Sequence, residues 1–180
     1  MRAANGDLLA FCEARVCGDA SEIDLVMKRS GDRGKSWGGI TVVQENPVPF
    51  VDLLDPEHPG RIWMLFTLEN DRIFVIYSDD HGATWSERRE ITAGNKRDAW
   101  GWYATGPVHS IQIQRGPQKG RLVIPVDHHL GKDGKDAGPY GAHVIYSDDH
   151  GKTWLLGAID ETYDDCLLYT SPSPRDATLS

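Results

Sequence analysis

SDDHGATW at Ser78 to Trp85 and SDDHGKTW at Ser147 to Trp154 differ at one position, and SGDRGKSW at Ser30 to Trp37 is a third copy of the same phrase. The shared pattern is Ser-x-Asp-x-Gly-x-Ser/Thr-Trp. Each copy follows a strand-like run, IDLVMKR, RIFVIY or AHVIY. Gly34, Gly82 and Gly151 can take the positive φ of a reversing backbone, while Asp32, Asp80 and Asp149 can accept hydrogen bonds from N–H groups inside the turn. Each box therefore reads as one β-hairpin. Trp37, Trp85 and Trp154 start the returning strand, where an indole is expected to be buried against the hairpin with its N–H on an acceptor.

The boxes start 48 and then 69 residues apart. A repeat of roughly 40 to 50 residues with several short strands per unit is the spacing of β-propeller blades. The longer second interval requires an extra unit without a box, or an insertion. GRIWMLF, FVIYS, SIQIQ and GRLVIPV are short apolar or alternating runs bounded by Gly, Pro, Asp and Asn, and no long stretch carries apolar residues at helical spacing. The predicted class is all-β: about three blades of four-stranded antiparallel sheet.

These boxes resemble the Asp-boxes of sialidases, six-bladed propellers that remove terminal sialic acid from glycans. In that family the boxes lie on outer hairpins away from the catalytic face, and they also occur in propellers that bind without cutting, so they speak for scaffold. The functional resemblance lies between them. NGDLLAFCEAR at Asn5 to Arg15 and GDASEIDLVMKRS at Gly18 to Ser30 look like the family's strand and loop bearing the acid/base aspartate, which Asp19 matches. Arg15 matches a pocket arginine near the sugar ring. Asn46, opening NPVPFVD, matches the residue facing the sugar 4-hydroxyl. Asp127, in GRLVIPVDHH after WYATGP, matches a position against the N-acetyl or glycerol arm. The resemblance spans residues 2 to about 165.

The chemistry implied suits those residue types. Sialic acid carries a carboxylate on its anomeric carbon, so a carboxylate nucleophile would meet a like charge in a partly desolvated pocket. Sialidases use a Tyr nucleophile instead. The family adds an arginine triad for the substrate carboxylate, a Glu that takes the Tyr proton, and an Asp that protonates the leaving oxygen and later activates water. Such an Asp needs a raised pKa, from burial or a neighbouring carboxylate; Glu13 and Asp24 are the candidates in sequence. The resemblance implies a retaining exo-α-sialidase with sialylated glycans as partners and no cofactor.

Each residue also has a plainer reading. Asp19 can be a solvated acid of a Gly-Asp loop, Arg15 a surface partner of Glu13 or Asp24, and Asn46 a turn residue set by Pro47. His128 and His129 after Asp127 suggest a metal, but adjacent strand residues point to opposite faces and no third ligand has suitable spacing. The alternative functions are a non-catalytic Asp-box propeller binding glycans or proteins, and a propeller glycosidase for another sugar.

Met1 falls partway along the family's first inner strand, so the first clamp arginine is expected upstream, and the Tyr, the Glu and the remaining arginines in later blades. Six blades of roughly 45 residues exceed the 180 present. The chain reads as a fragment, inactive by itself, with residues 1–165 as the propeller part. CLLYTSPSPRD at Cys166 to Asp176 is similar to one frame of a transposase-type sequencing adapter, and residues 166–180 are read as a non-native tail. A formal charge of −8 and a pI near 5.3 oppose a nucleic-acid role. No run is long and apolar enough to span a membrane. With Cys166 set aside, Cys12 and Cys17 form no disulfide framework. The family resemblance implies a secreted, periplasmic or cell-surface parent enzyme.

Overall fold

The computed structural model describes residues 1–15, 23–43, 47–106, 109–131 and 138–160; of Glu13, Arg15, Ile23, Leu25, Pro47 and Val48 it describes the backbone alone. All described elements are strands, in three antiparallel sheets that follow one another along the chain. The first contains β1 (Leu8–Arg15), β2 (Ile23–Ser30) and β3 (Thr41–Val42). The second contains β4 (Pro47–Asp52), β5 (Arg61–Leu68), β6 (Arg72–Ser78) and β7 (Arg89–Glu90) in chain order. The third runs β8 (Trp100–Thr105), β10 (Leu122–Leu130), β11 (Tyr140–Ser147), β12 (Leu155–Asp160), with β9 (Ile111–Gln112) paired to β10. The long interval between the second and third boxes is thus an insertion, not an extra sheet among the described residues.

The second sheet explains why GRIWMLF is apolar at successive positions. Strand side chains alternate between faces. Trp63, Leu65, Ile73 and Val75 pack with Trp100, Leu122, Ile124 and Ile145 of the third sheet. Ile62 packs with Ala3, Leu9 and Met27 of the first, and Met64, Phe66, Phe74 and Ile76 form an adjoining cluster reached by Phe11. A sheet covered on both faces has no solvent side, and each large side chain so buried contributes about 1.5–3 kcal/mol. Such stacked sheets form an arc of a β-propeller.

Each box joins the last two described strands of its sheet, β2 to β3, β6 to β7 and β11 to β12, and the three repeat one another bond for bond. Ser30, Ser78 and Ser147 hydroxyls donate to Asp32, Asp80 and Asp149, each at 2.8 Å. The same hydroxyls accept the N–H of Gly34, Gly82 and Gly151. The Ser36, Thr84 and Thr153 hydroxyls donate to the aspartates at 2.6 Å, and their N–H groups at 2.8 Å. These bonds, the Ser36 hydroxyl first, hold Asp32 at a pKa of about 2; at Asp80 burial pulls upward, yet the Thr84 and Ser78 bonds bring it to about 2. The turn has positive φ at two residues, Arg33–Gly34, His81–Gly82 and His150–Gly151, so only the second is glycine.

The tryptophans depart from the expectation. Trp154 lies 6.0 Å from Trp63 and 6.4 Å from Phe50, against the preceding sheet rather than its own hairpin. Trp85 packs on the Leu9 and Met27 cluster of the first sheet. Trp37 stays 43% exposed. The buried indole N–H groups of Trp85 and Trp154 have no hydrogen-bond partner among the described residues, so apolar seating prevails over polar satisfaction there.

Register supplies a longer repeat than the box. Leu8, Ile62 and Leu122 pair with Ser30, Ser78 and Ser147. Two residues before them stand Gly6, Gly60 and Gly120, all near φ +95°. The intervening residue is Asp7, Arg61 or Arg121.

Candidate active site

Register divides each sheet into a box end and an opposite end, and of the sequence-predicted residues Arg15 and Asp127 belong to the latter. Arg15 closes β1, paired with Ile23, at the end away from Leu8 and Ser30. Its side chain lies outside the described residues, as do Asp19, in the segment joining Arg15 to Ile23, and Asn46, just before Pro47. Pro47 pairs with Phe66, whereas the other end of β4, Asp52, pairs with Arg61 beside the box. Asp127 pairs with Ala104 and Ala142, again remote from the box residue Ser147.

Asp127 is the described member of this group with a side chain to examine. It shares a β10 face with Val123 and Pro125, opposite to His128. Ala104 and Ala142 flank it in the cross-strand row. Burial raises its pKa to about 6, partly offset by a bond to its own N–H. A carboxyl titrating there can donate to, or accept from, a hydroxyl or amide near neutral pH. Asp24, proposed as a neighbour of Asp19, is exposed opposite Ala14.

Behind Asp127, on the face covered by the second sheet, lies a buried network that sequence reading missed. His128 Nδ1 and His143 Nδ1 are 2.9 Å apart, and His143 Nε2 is 2.9 Å from Tyr103 Oη. The Tyr103 hydroxyl donates to the Asn95 carbonyl at 3.3 Å. Trp100 stacks on His128 with centroids 3.9 Å apart. Burial, and then the nearby His128 and Arg97, lower His143 to a pKa of about 3. His143 is therefore held as a neutral ring, and of the two Nδ1 atoms one donates and one accepts, which ties β8, β10 and β11 together beneath the candidate carboxyl. Adjacent His128 and His129 are both buried and a bulge follows them; only the cross-strand register reveals that His128 belongs with His143 and Tyr103.

The second sheet reaches this end too. Glu69 and Asn70 turn β5 into β6 with φ of +57° and +51°. The Asn70 carbonyl accepts the Tyr103 N–H at 2.8 Å, and Lys96 pairs with Asp71. Exposed Glu69 thereby belongs to a turn bonded to β8 of the next sheet.

A third polar group sits at the box end. Asp52, fully buried, accepts from the N–H groups of Leu54 and Asp55 at 3.1 and 3.0 Å and from the Gln112 amide, and its Oδ2 lies 2.8 Å from His150 Nδ1. Asp52, Asp55 and His150 offer donor atoms within 4.8 Å of one another. A cation would have to displace the direct imidazole–carboxylate bond, so this is a joint between sheets. Two cavities of about 310 and 240 Å³ also lie at the box end, lined by Ser78, Asp80 and Trp85 and by Trp63, Arg89 and Gly151. They follow the hairpin seams, away from Asp127.

Comparison with known proteins agrees with the architecture. The BNR repeat-like domain profile matches residues 6–176. The chain belongs to that family. It is 30% identical to a sialidase of Paraclostridium sordellii over 183 aligned residues, 86% of this chain and 44% of the relative. It is also 30% identical to mouse Sialidase-4, over 84% of this chain and 37% of that protein. Among solved structures, the intramolecular trans-sialidase of Ruminococcus gnavus in complex with oseltamivir carboxylate superposes with a TM-score of 0.70 at 16% identity, over 91% of this chain and 60% of that one. This BNR-repeat chain thus spans less than half the length of the curated sialidases it matches. Among the described residues no helix is long and apolar enough to cross a membrane.

Proposed function

We propose that this BNR-repeat chain is the part of an exo-α-sialidase that supplies the acid/base and one wall of the sugar pocket. The observation that carries the reading is the common register of the candidates. Arg15, the start of β4 and Asp127 belong to the sheet ends opposite the boxes, and Asp19 and Asn46 adjoin these positions in sequence. In this reading Asp19 protonates the leaving glycosidic oxygen and then activates water, completing a retaining cycle. Arg15, Asn46 and Asp127 contact the sugar ring and its arms. The parent enzyme acts outside the cytoplasm on sialylated glycans. Nucleophile, activating Glu and carboxylate clamp are not assigned in this chain, so by itself it binds weakly and does not turn over.

A chimera tests it. Residues 6–160 replace the homologous segment of the Paraclostridium sordellii sialidase, and release of 4-methylumbelliferone from its sialoside is followed. The expected result is an active chimera in which Asp19→Ala loses on the order of a hundredfold or more in kcat. An Asp19→Ala chimera as active as its parent overturns the assignment. Release by the isolated chain, absent in Asp19→Ala, overturns its inactivity.

A further inference from the structure

The buried residues behind Asp127 form one directed ladder of hydrogen bonds. The Tyr103 hydroxyl has a single proton and gives it to the Asn95 carbonyl at 3.3 Å, so toward His143 Nε2, 2.9 Å away, its oxygen can only accept. His143 Nε2 therefore carries hydrogen. In a neutral ring that leaves Nδ1 bare, and the 2.9 Å contact between the two Nδ1 atoms then requires His128 to donate. The ladder thus runs from His128 through His143 and Tyr103 to Asn95, whose amide donates onward to the Ile91 and Trp154 carbonyls. None of its four residues is more than 4% exposed, and Trp100 covers both imidazoles with ring centroids 3.9 and 4.5 Å away. In such surroundings a misdirected proton is costly, so the order of donors is fixed.

The ladder stands one residue from the candidate carboxyl on every strand. Ala104, Asp127 and Ala142 form a cross-strand row, and their chain neighbours are Tyr103, His128 and His143. Tyr103 also reaches the second sheet. Its N–H donates to the Asn70 carbonyl at 2.8 Å, and its carbonyl accepts from the Asn70 amide at 3.5 Å. We propose that Tyr103 is a positioning residue of the sugar pocket: its hydroxyl orders the ladder and its backbone holds the Glu69–Asn70 turn, so that Asp127 and that turn are presented in one fixed relation. Asp127 is a sugar contact only under the sialidase reading above, and the positioning role rests on that reading. A carboxyl that binds an arm of the sugar without transferring the catalytic proton governs affinity, so a loosened ladder shows in KM rather than kcat.

Two readouts on the purified 180-residue chain need no turnover. Nitrogen NMR of the imidazoles is expected to find hydrogen on His143 Nε2 and on His128 Nδ1, and carbon NMR to find that Tyr103→Phe moves the Asp127 titration toward the ordinary carboxylate range. Hydrogen on His143 Nδ1, or an Asp127 titration unchanged by Tyr103→Phe, overturns the proposal. A third readout uses the chimera described above. There Tyr103→Phe is expected to raise KM for the sialoside about fivefold or more with kcat within about twofold. Because Tyr103 acts through Asp127, the same substitution is expected to add nothing further to KM in Asp127→Ala. An unchanged KM in an active chimera, or an equal rise in both backgrounds, overturns the proposal. Asp19→Ala decides the sialidase reading separately and leaves the ladder as it is. If Tyr103→Phe has lost its circular dichroism, His143→Phe, which removes both ring nitrogens from the ladder, takes its place in the titration and the kinetics.

Discussion

The two sheet junctions use the same turn and differ in everything that faces the neighbour. At the second and third sheets, Trp154 is nearly buried, Gly151 lies so close to Trp63 that a Cβ would collide with the indole, and Arg89 donates to the Gly151 and Lys152 carbonyls at 2.5 and 2.7 Å. His150 adds its bond to buried Asp52. At the first and second sheets, Trp85 is half-buried, and a Cβ at Gly82 would stand 3.2 Å from Leu9 and 3.6 Å from Met27, tight against side-chain ends but without the collision seen at Gly151. One arginine, Arg29, donates to the His81 carbonyl at 2.7 Å. His81 matches His150, yet its Nδ1 has no hydrogen-bond partner among the described residues, because the position matching Asp52 is Ala3, whose N–H bonds the Asp7 carbonyl. The turn is thus specified locally, and the strength of a junction by what the previous sheet offers.

Truncating the tryptophans breaks this comparison most directly. Trp154→Ala is expected to cost about 3–5 kcal/mol, Trp85→Ala less, and Trp37→Ala least, in urea titrations. Equal losses for all three would show that the hairpin, not the neighbouring sheet, carries the indole. Asp52→Ala, which strands several buried donors, is expected to cost roughly 3–5 kcal/mol, while His81→Ala stays within about 1 kcal/mol. Comparable losses for both would mean that the two junctions are equivalent after all.

Acid sharpens the contrast between the third sheet and the rest. His143, lowered to about 3 in the fold, accepts a proton near 6.5 when unfolded, so the unfolded chain binds more protons between these values. Stability is therefore expected to fall as pH drops through that window, and His143→Phe should flatten the dependence. Tyr103, His128, Trp100 and Arg97 face this ring, and none is a carboxylate that would favour its charged form. Asp127 acts with the opposite sign. Its pKa of about 6 exceeds the unfolded value, so stability is lost as pH rises from about 4 to 6, and Asp127→Asn should gain on the order of 1 kcal/mol at pH 7. Indifference of both variants to pH would remove the burial argument.

The smallest effect concerns the residue before Leu8, Ile62 and Leu122. Arg61 and Arg121 grip the second residue of their boxes, Asp79 and Asp148; in the first sheet that residue is Gly31, and Asp7 pairs instead with Arg29 at 2.8 Å. The acid and the base have exchanged strands. Arg61→Ala is expected to cost about 1 kcal/mol or less and Asp7→Ala to leave the urea midpoint almost unchanged, because these pairs reach solvent. A loss several times larger would make the exposed pairs part of the junction.

Much of this arrangement was legible. Three copies of the box named three hairpins, and apolar runs bounded by Gly and Pro named β5, β6 and β10. Asp127 was legible as a candidate, but not its raised pKa, which depends on burial. Asp52, Gln112 and His150 were invisible as a group because 98 residues separate the bonded acid from its imidazole. His143 and Tyr103 were equally hidden, since register alone sets them beside His128.

The sequence by itself determined the turns, because a Ser, an Asp, a Gly and a Ser or Thr within seven residues satisfy one another's hydrogen bonds without help from elsewhere. It also determined that the second sheet must be covered twice, since the five successive apolar residues Ile62 to Phe66 of β5 leave no polar face. Only the tertiary structure decided which tryptophan is seated, which histidine finds a carboxylate and which aspartate is pushed toward neutrality. Those outcomes depend on burial and cross-strand distance, and both come from residues remote in the chain.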